Sequence, residues 1–159
     1  MIIRAATSKD AAVIAEIWNE IIRDPAITFT TEEKTTETIL QMLEQQPVLV
    51  ADGDDQLLGF ATYGSFRSGP GYRHTAEVTI HLASQARGRG IGRKLLQSLL
   101  DQAGEDGIHV MVAGVSAKNP AAINFHQALG FTEVARMPEV GRKDGRWLDL
   151  VLMQKLLNT

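Results

Sequence analysis

The sequence predicts a mixed α/β fold, and three observations carry that expectation. Runs of β-branched and aliphatic residues alternate with segments whose apolar residues recur at helical spacing. Glycine, proline and aspartate fall at the junctions between them. The elements then follow in the order βααβββ, αβ, αββ. At 159 residues, with 44% hydrophobic and 22% charged, the chain fits one domain over 1–159 with a substantial core.

Ile2 to Ala6 reads as a short strand. Thr7 and Asp10 have the spacing of a helix capping box, and Ile14, Ile17, Trp18, Ile21 and Ile22 make the apolar stripe of the helix it opens. Asp24-Pro25 ends that helix. Thr30 and Glu33 suggest the cap of a second helix, with Ile39 and Leu43 on one face and Pro47 as its stop. Val48 to Ala51 and Leu57 to Tyr63 read as strands joined by the turn Asp52-Gly53-Asp54-Asp55. A loop with Gly69-Pro70-Gly71 leads to the β-rich run Ala76 to Leu82. Ile91, Leu95, Leu96 and Leu99 mark a third helix that Gly104 and Gly107 end. Val110 to Val115 is a buried-type strand. Asn119 and Pro120 suit the N-cap and first position of a fourth helix, which Gly130 closes. Phe131 to Met137 and Trp147 to Met153 are the last strands, with Gly141 and Gly145 in the loop between them.

Composition removes several classes of function. A formal net charge of -3 argues against a general nucleic-acid binder. No apolar run is long enough for a transmembrane helix, and Met1 to Lys9 lacks the apolar stretch of a signal peptide, so a cytoplasmic protein is expected. The absence of cysteine removes disulfides, thiolate metal sites and cysteine nucleophiles. His74, Glu77 and His81 match neither zinc-protease spacing, and no metal site is expected.

Arg87-Gly88-Arg89-Gly90-Ile91-Gly92 lies between a strand and a helix. Glycines let backbone approach a ligand closely, and the first amides of a helix are unpartnered at the positive end of its dipole. Together they form a phosphate cradle, to which Arg87, Arg89, Arg93 and Lys94 add charge. The dinucleotide pattern G-x-G-x-x-G fails at Arg93, and the P-loop pattern fails because Leu95 follows Lys94. Further on, Asn119 and His126 lie seven residues apart, about two helical turns, and so share a face beside the apolar stripe Ala122, Phe125 and Leu129. An imidazole there has a pKa suited to proton transfer near neutral pH.

Arg87 to Gly92 resembles the R-x-x-G-x-G pyrophosphate loop of the GNAT acetyltransferases, which hold coenzyme A, and Asn119 to Phe131 resembles their second motif. Tyr72-Arg73-His74-Thr75, Glu77 to Leu82, His109 to Gly114 and Val140 to Leu150 are similar to the phosphinothricin, methionine sulfone and methionine sulfoximine acetyltransferase branch. The likeness covers nearly the whole chain and is weakest in residues 24–46. It implies a GNAT fold: a mixed, mostly antiparallel sheet flanked by helices. It implies direct transfer of acetyl from acetyl-CoA to the α-amine of a small amino-acid analogue, in a ternary complex, by a homodimer. Glu77 would be the base and His126 would assist proton transfer near the thiolate; the superfamily commonly has Tyr there, and His is normal in this branch. Ile80, His81 and Leu82 would present backbone groups to the pantetheine. Gly88, Arg89, Gly90, Ile91, Gly92 and Arg93 would bind the pyrophosphate, and Asn119 the pantetheine arm. Phe29, Arg67, Tyr72, Arg73, Glu77 and Thr79 would contact substrate. Two other readings remain open: a GNAT enzyme acting on protein or peptide amines, and a non-catalytic acyl-CoA sensor.

Overall fold

The computed structural model describes residues 1–157; the last two residues of the expected 1–159 domain lie outside them. Seven strands and four helices follow in the expected order: β1 (Ile2–Ala5), α1 (Ala11–Ile22), α2 (Thr36–Gln45), β2 (Val48–Asp52), β3 (Leu57–Ser65), β4 (Thr75–Leu82), α3 (Ile91–Glu105), β5 (Val110–Ser116), α4 (Pro120–Ala128), β6 (Thr132–Lys143) and β7 (Arg146–Leu156). The sheet order is β1-β2-β3-β4-β5-β7-β6. Every neighbouring pair is antiparallel except β4 and β5.

Strands β2 and β3 are buried almost without alternation, from Val48 to Ala51 and from Leu58 to Tyr63. Such runs require cover on both faces of the sheet. On one face Trp18 of α1 meets Phe60 with ring centroids 5.2 Å apart. On the other, the hydroxyl of Tyr63 donates to Asp106, the C-cap of α3, at 2.6 Å. Ile14 and Ile22 from α1, Ile39 from α2 and Leu95, Leu96 and Leu99 from α3 are fully or almost fully buried.

Local signals explain most helix boundaries. The Asp10 carboxylate accepts from the Thr7 amide at 2.8 Å and takes both ends of the Arg4 guanidinium at 2.9 and 3.0 Å, in a 3-10 turn that leads into α1. Asn119 caps α4, its Oδ1 accepting from the Ala122 amide, and Pro120 follows at the first helical position.

Three expectations are corrected. The cap of α2 is Thr35, whose hydroxyl accepts from the Thr38 amide at 3.1 Å. Thr30 instead accepts from Glu32, while Glu33 pairs with Arg23 at 2.7 Å, so both are spent within the connecting loop. Gly104 lies inside α3, and Gly107, with φ of +90°, makes the turn beyond it. Strand β6 does not stop at Met137: a bulge with Glu139 at φ +58° absorbs Pro138, and the strand resumes through Gly141 to Lys143. Asp144 and Gly145, both at positive φ, then make a two-residue hairpin turn.

Candidate active site

Strands β4 and β5 pair only from Thr75 to Glu77 against Val110 to Val112. Beyond that point β4 stays paired with β3, as far as Leu82, and β5 with β7, as far as Ser116. The two strands therefore part, and a cleft of about 730 Å³ opens between them.

Glu77 sits where the strands separate. A Cβ on Gly114 would lie 3.3 Å from Glu77 Oε2, so the missing side chain at Gly114 makes room for the carboxylate. The Glu77 carboxylate has no hydrogen bond or ion pair with any described residue, and Glu77 lines the cleft. Loss of solvent around it pushes its carboxyl above the ordinary range. Thr79 and His81, on the same strand face, also line the cleft. The His81 ring packs against Trp18 and Phe60 at 5.8 and 5.7 Å between centroids. Burial, with the Arg87 charge nearby, pushes it down to about 4, so it is neutral at pH 7.

His126 is 6% exposed and also lines the cleft. Its Nδ1 lies 2.8 Å from the Ala122 carbonyl. A carbonyl only accepts, so Nδ1 carries a proton and Nε2 is the basic nitrogen of the neutral ring. Burial lowers its pKa, which favours that neutral form. Phe125 and Phe131 meet the ring edge-to-face and fix its plane.

At the mouth, Gly88 and Gly90 have φ of +75° and +78°, and an added Cβ at either would meet nothing within 4 Å. Gly90 is the N-cap of α3, so the first amides of that helix are unpaired beside open space. Arg87, Gly88 and Gly92 line the cleft. Arg89 and Arg93 are exposed alongside, whereas the Ile91 side chain is buried in the core, leaving only its backbone available. Ile80, Leu82 and Asn119 are in the lining as well. The parting of β4 from β5 leaves one edge of Val78 to Leu82 without a strand partner, which suits an amide-bearing chain. Polarity and shape thus fit a diphosphate joined to an extended arm.

Of the expected substrate contacts, Phe29, Glu77 and Thr79 line the cleft. Arg67, Tyr72 and Arg73 do not; they are exposed on the connection from β3 to β4. Arg67 lies over the Tyr72 ring at 5.4 Å, and Arg73 Nε donates to His74 Nε2 at 3.2 Å. No acidic partner engages either guanidinium among the described residues. Sequence reasoning missed Trp18, Ile21, Ile27, Thr28, Gly114, Ser116 and Leu150 in the lining. Trp18 and Ile21 read as core from their helical spacing; Gly114, a glycine inside a strand, was the one available signal.

An open-centred sheet with a glycine-rich helix start on one side and an unpaired carboxylate at the fork defines an acyl-CoA-type transferase. The acetyltransferase (GNAT) domain family matches residues 3–152, and the chain belongs to that family. It is 40% identical to the L-amino acid N-acyltransferase MnaT of Escherichia coli (strain K12), over 99% of this chain and 95% of that protein. It is 41% identical to the L-methionine sulfoximine/L-methionine sulfone acetyltransferase of Salmonella typhimurium, with the same coverage. Among solved structures, it superposes on the ribosomal-protein-alanine N-acetyltransferase of Brucella melitensis with a TM-score of 0.95 and 41% identity, covering 99% of this chain and 100% of that one.

Proposed function

We propose that this protein transfers an acetyl group from acetyl-CoA to the α-amine of a small amino acid of the methionine sulfone, methionine sulfoximine or phosphinothricin type. Relatives at 40% and 41% identity carry amino-acid substrates in their names, and a phosphinothricin N-acetyltransferase of Streptomyces coelicolor is 33% identical over 98% of this chain. The structure of yncA from Salmonella typhimurium, with a TM-score of 0.95 and 41% identity over the whole of this chain and 95% of its own, was solved with its cofactor acetyl-CoA. Such activity would remove toxic amino-acid analogues in the cytoplasm. A homodimer accords with the exposed Val134, Met137, Val140 and Trp147 on the β6–β7 hairpin.

Acetyl-CoA supplies an acetyl thioester. Arg87 and the glycine-rich segment through Arg93 would hold its diphosphate, Asn119 and the free edge of Ile80 to Leu82 its pantetheine arm. The observation that carries the reading is Glu77, an unpartnered carboxylate at the fork of the sheet. An ammonium cannot attack an acyl carbon until it loses a proton, and a carboxylate with a raised pKa is suited to take it. Trp18, Ile21, Ile27 and Phe29 give the amine an apolar surround that disfavours its charged form. Neutral His126, with Nε2 unprotonated, accepts a proton before it can give one and so relays rather than donates outright. Phe29 and Thr79 would contact the substrate, with Arg73, Arg67 and Tyr72 reaching it from the β3–β4 connection.

The relative from Brucella melitensis, named for a ribosomal protein, favours a second reading, acetylation of a protein amine. A screen of free amino acids, analogues and peptides for thiol release from acetyl-CoA separates the two. Efficient acetylation of methionine sulfone and poor use of peptides is expected. The reverse pattern would move the chain to the protein-modifying reading, and no turnover with any amine would favour a sensor.

A further inference from the structure

Ile27, Thr28 and Phe29 form part of the cleft wall, yet the 23–35 segment that carries them has neither helix nor strand to fix it. Its support comes from the far end of the chain. Gly141 and Lys143 are two residues apart on β6, so they face the same way, and both are buried. Lys143 is 4% exposed. Its Nζ donates to the carbonyls of Ile22, Asp24 and Thr28 at 2.6, 2.8 and 2.9 Å, and to Thr28 Oγ1 at 3.0 Å. Ile22 ends α1, so its carbonyl belongs to the set a helix leaves unpaired, at the negative end of the dipole. No carboxylate pairs with this ammonium among the described residues. Its charge is solvated by backbone, and removing it would leave several carbonyls short of a donor.

Gly141 supplies the steric half. A Cβ there would lie 2.5 Å from Phe29 Cδ2 and 2.7 Å from Cε2. The phenyl ring rests on bare backbone, and any side chain at 141 would push it off. Lys143 therefore ties down the start of the segment and Thr28, while Gly141 seats the next residue.

We infer that Lys143 and Gly141 are positioning residues for amine recognition: they fix Thr28 and Phe29 from β6, a strand that does not itself line the cleft. The inference rests on the reading of this cleft as the amine site, and the experiment separates the two. Lys143→Met, Gly141→Ala and Phe29→Ala are compared for amine KM, acetyl-CoA dissociation constant and melting temperature. Lys143→Met and Gly141→Ala should each raise the amine KM about tenfold or more, because small displacements of a positioning wall are costly. Acetyl-CoA affinity should stay within about twofold, as expected for a site without shared contacts. Gly141→Ala should add almost nothing to Phe29→Ala, since the group it displaces is then gone. A lowered melting temperature with unchanged amine KM would make Lys143 purely structural and overturn its part. An unchanged KM in Gly141→Ala, when Phe29→Ala raises it, would overturn the other part; this variant serves even where Lys143→Met fails to fold. An unchanged KM in Phe29→Ala would instead remove the amine-site reading, and the inference with it.

Discussion

The two ends of the cleft are built by different means. The end proposed for the cofactor is local. Gly90 at positive φ starts α3, Asn119 and Pro120 start α4, and each takes its shape from neighbours within a few residues. The end proposed for the amine is not. Its 23–35 segment is held by Lys143, which bonds to carbonyls 121, 119 and 115 residues away in sequence. Local construction gives the proposed cofactor cradle a rigid frame. Remote construction gives a wall that can change without disturbing the cradle, which is where substrate choice can vary.

Substitutions at the fork and at the two ends should separate these contributions. The largest effect is expected at Glu77. Glu77→Gln keeps the shape and removes the proposed base, so kcat should fall by about 10²–10⁴ with acetyl-CoA affinity unchanged. With its carboxyl pKa raised, Glu77 as the base should make the wild-type rate fall as pH falls through that pKa, because only the ionised form accepts the proton. A pH–rate profile of Glu77→Gln should lack this limb; its persistence would assign it to another group. His126→Ala should slow turnover about tenfold, less than Glu77→Gln, because water can also protonate a thiolate.

Gly90→Asp tests the local end alone. Space is open there, and aspartate tolerates the left-handed backbone, so the fold should survive. A carboxylate beside a diphosphate should raise the acetyl-CoA dissociation constant about a hundredfold, with little change for the amine. Unchanged affinity by calorimetry in the folded variant would remove the cradle assignment.

A smaller effect is expected at Arg73, whose guanidinium is exposed and has no acidic partner among the described residues. Arg73→Ala should raise the amino-acid KM about tenfold, the loss of one charge-assisted contact. Methyl esterification of the substrate should cost the wild type as much and cost the variant little more. Equal efficiency for acid and ester in the wild type would eliminate a carboxylate anchor.

The least effect on kinetics is expected far from the cleft. Asp10→Asn should leave both substrates' kinetics unchanged and lower stability by about 1–3 kcal/mol, through the weakened Arg4 and Thr7 bonds. Arg4 holds the Asp10 carboxyl below its ordinary range, so its contribution is present at neutral pH and is lost as pH falls through the folded value. Denaturant unfolding should show a shallower acid-side decline in Asp10→Asn.

The same division decided what could be read from sequence. The element order, the start of α4 and the glycine-rich segment follow from rules a few residues long, and they appear where expected. The α2 cap was misplaced because Thr30 and Glu33 have the right spacing but bond to Glu32 and Arg23. The end of β6 was misplaced because Gly141 and Gly145 both read as loop residues, although only Asp144-Gly145 makes the hairpin turn. Lys143 gave no signal at all: a lysine beside a polar turn reads as solvated, and its burial depends on three carbonyls supplied by the other end of the chain.

A sheet that parts in its middle has four edges instead of two. Outer edges β1 and β6 are joined by two inner ones, on β4 beyond Glu77 and on β5 beyond Val112. Unpaired inner amides exchange hydrogen readily and offer a template to any extended chain that fits. A ligand carrying its own amides can take the place of the absent strand there. Its arrival should slow exchange along Val78 to Leu82 and raise the unfolding temperature with ligand concentration. On the proposed reading, binding the cofactor would complete the backbone ladder that is interrupted at the centre of the sheet.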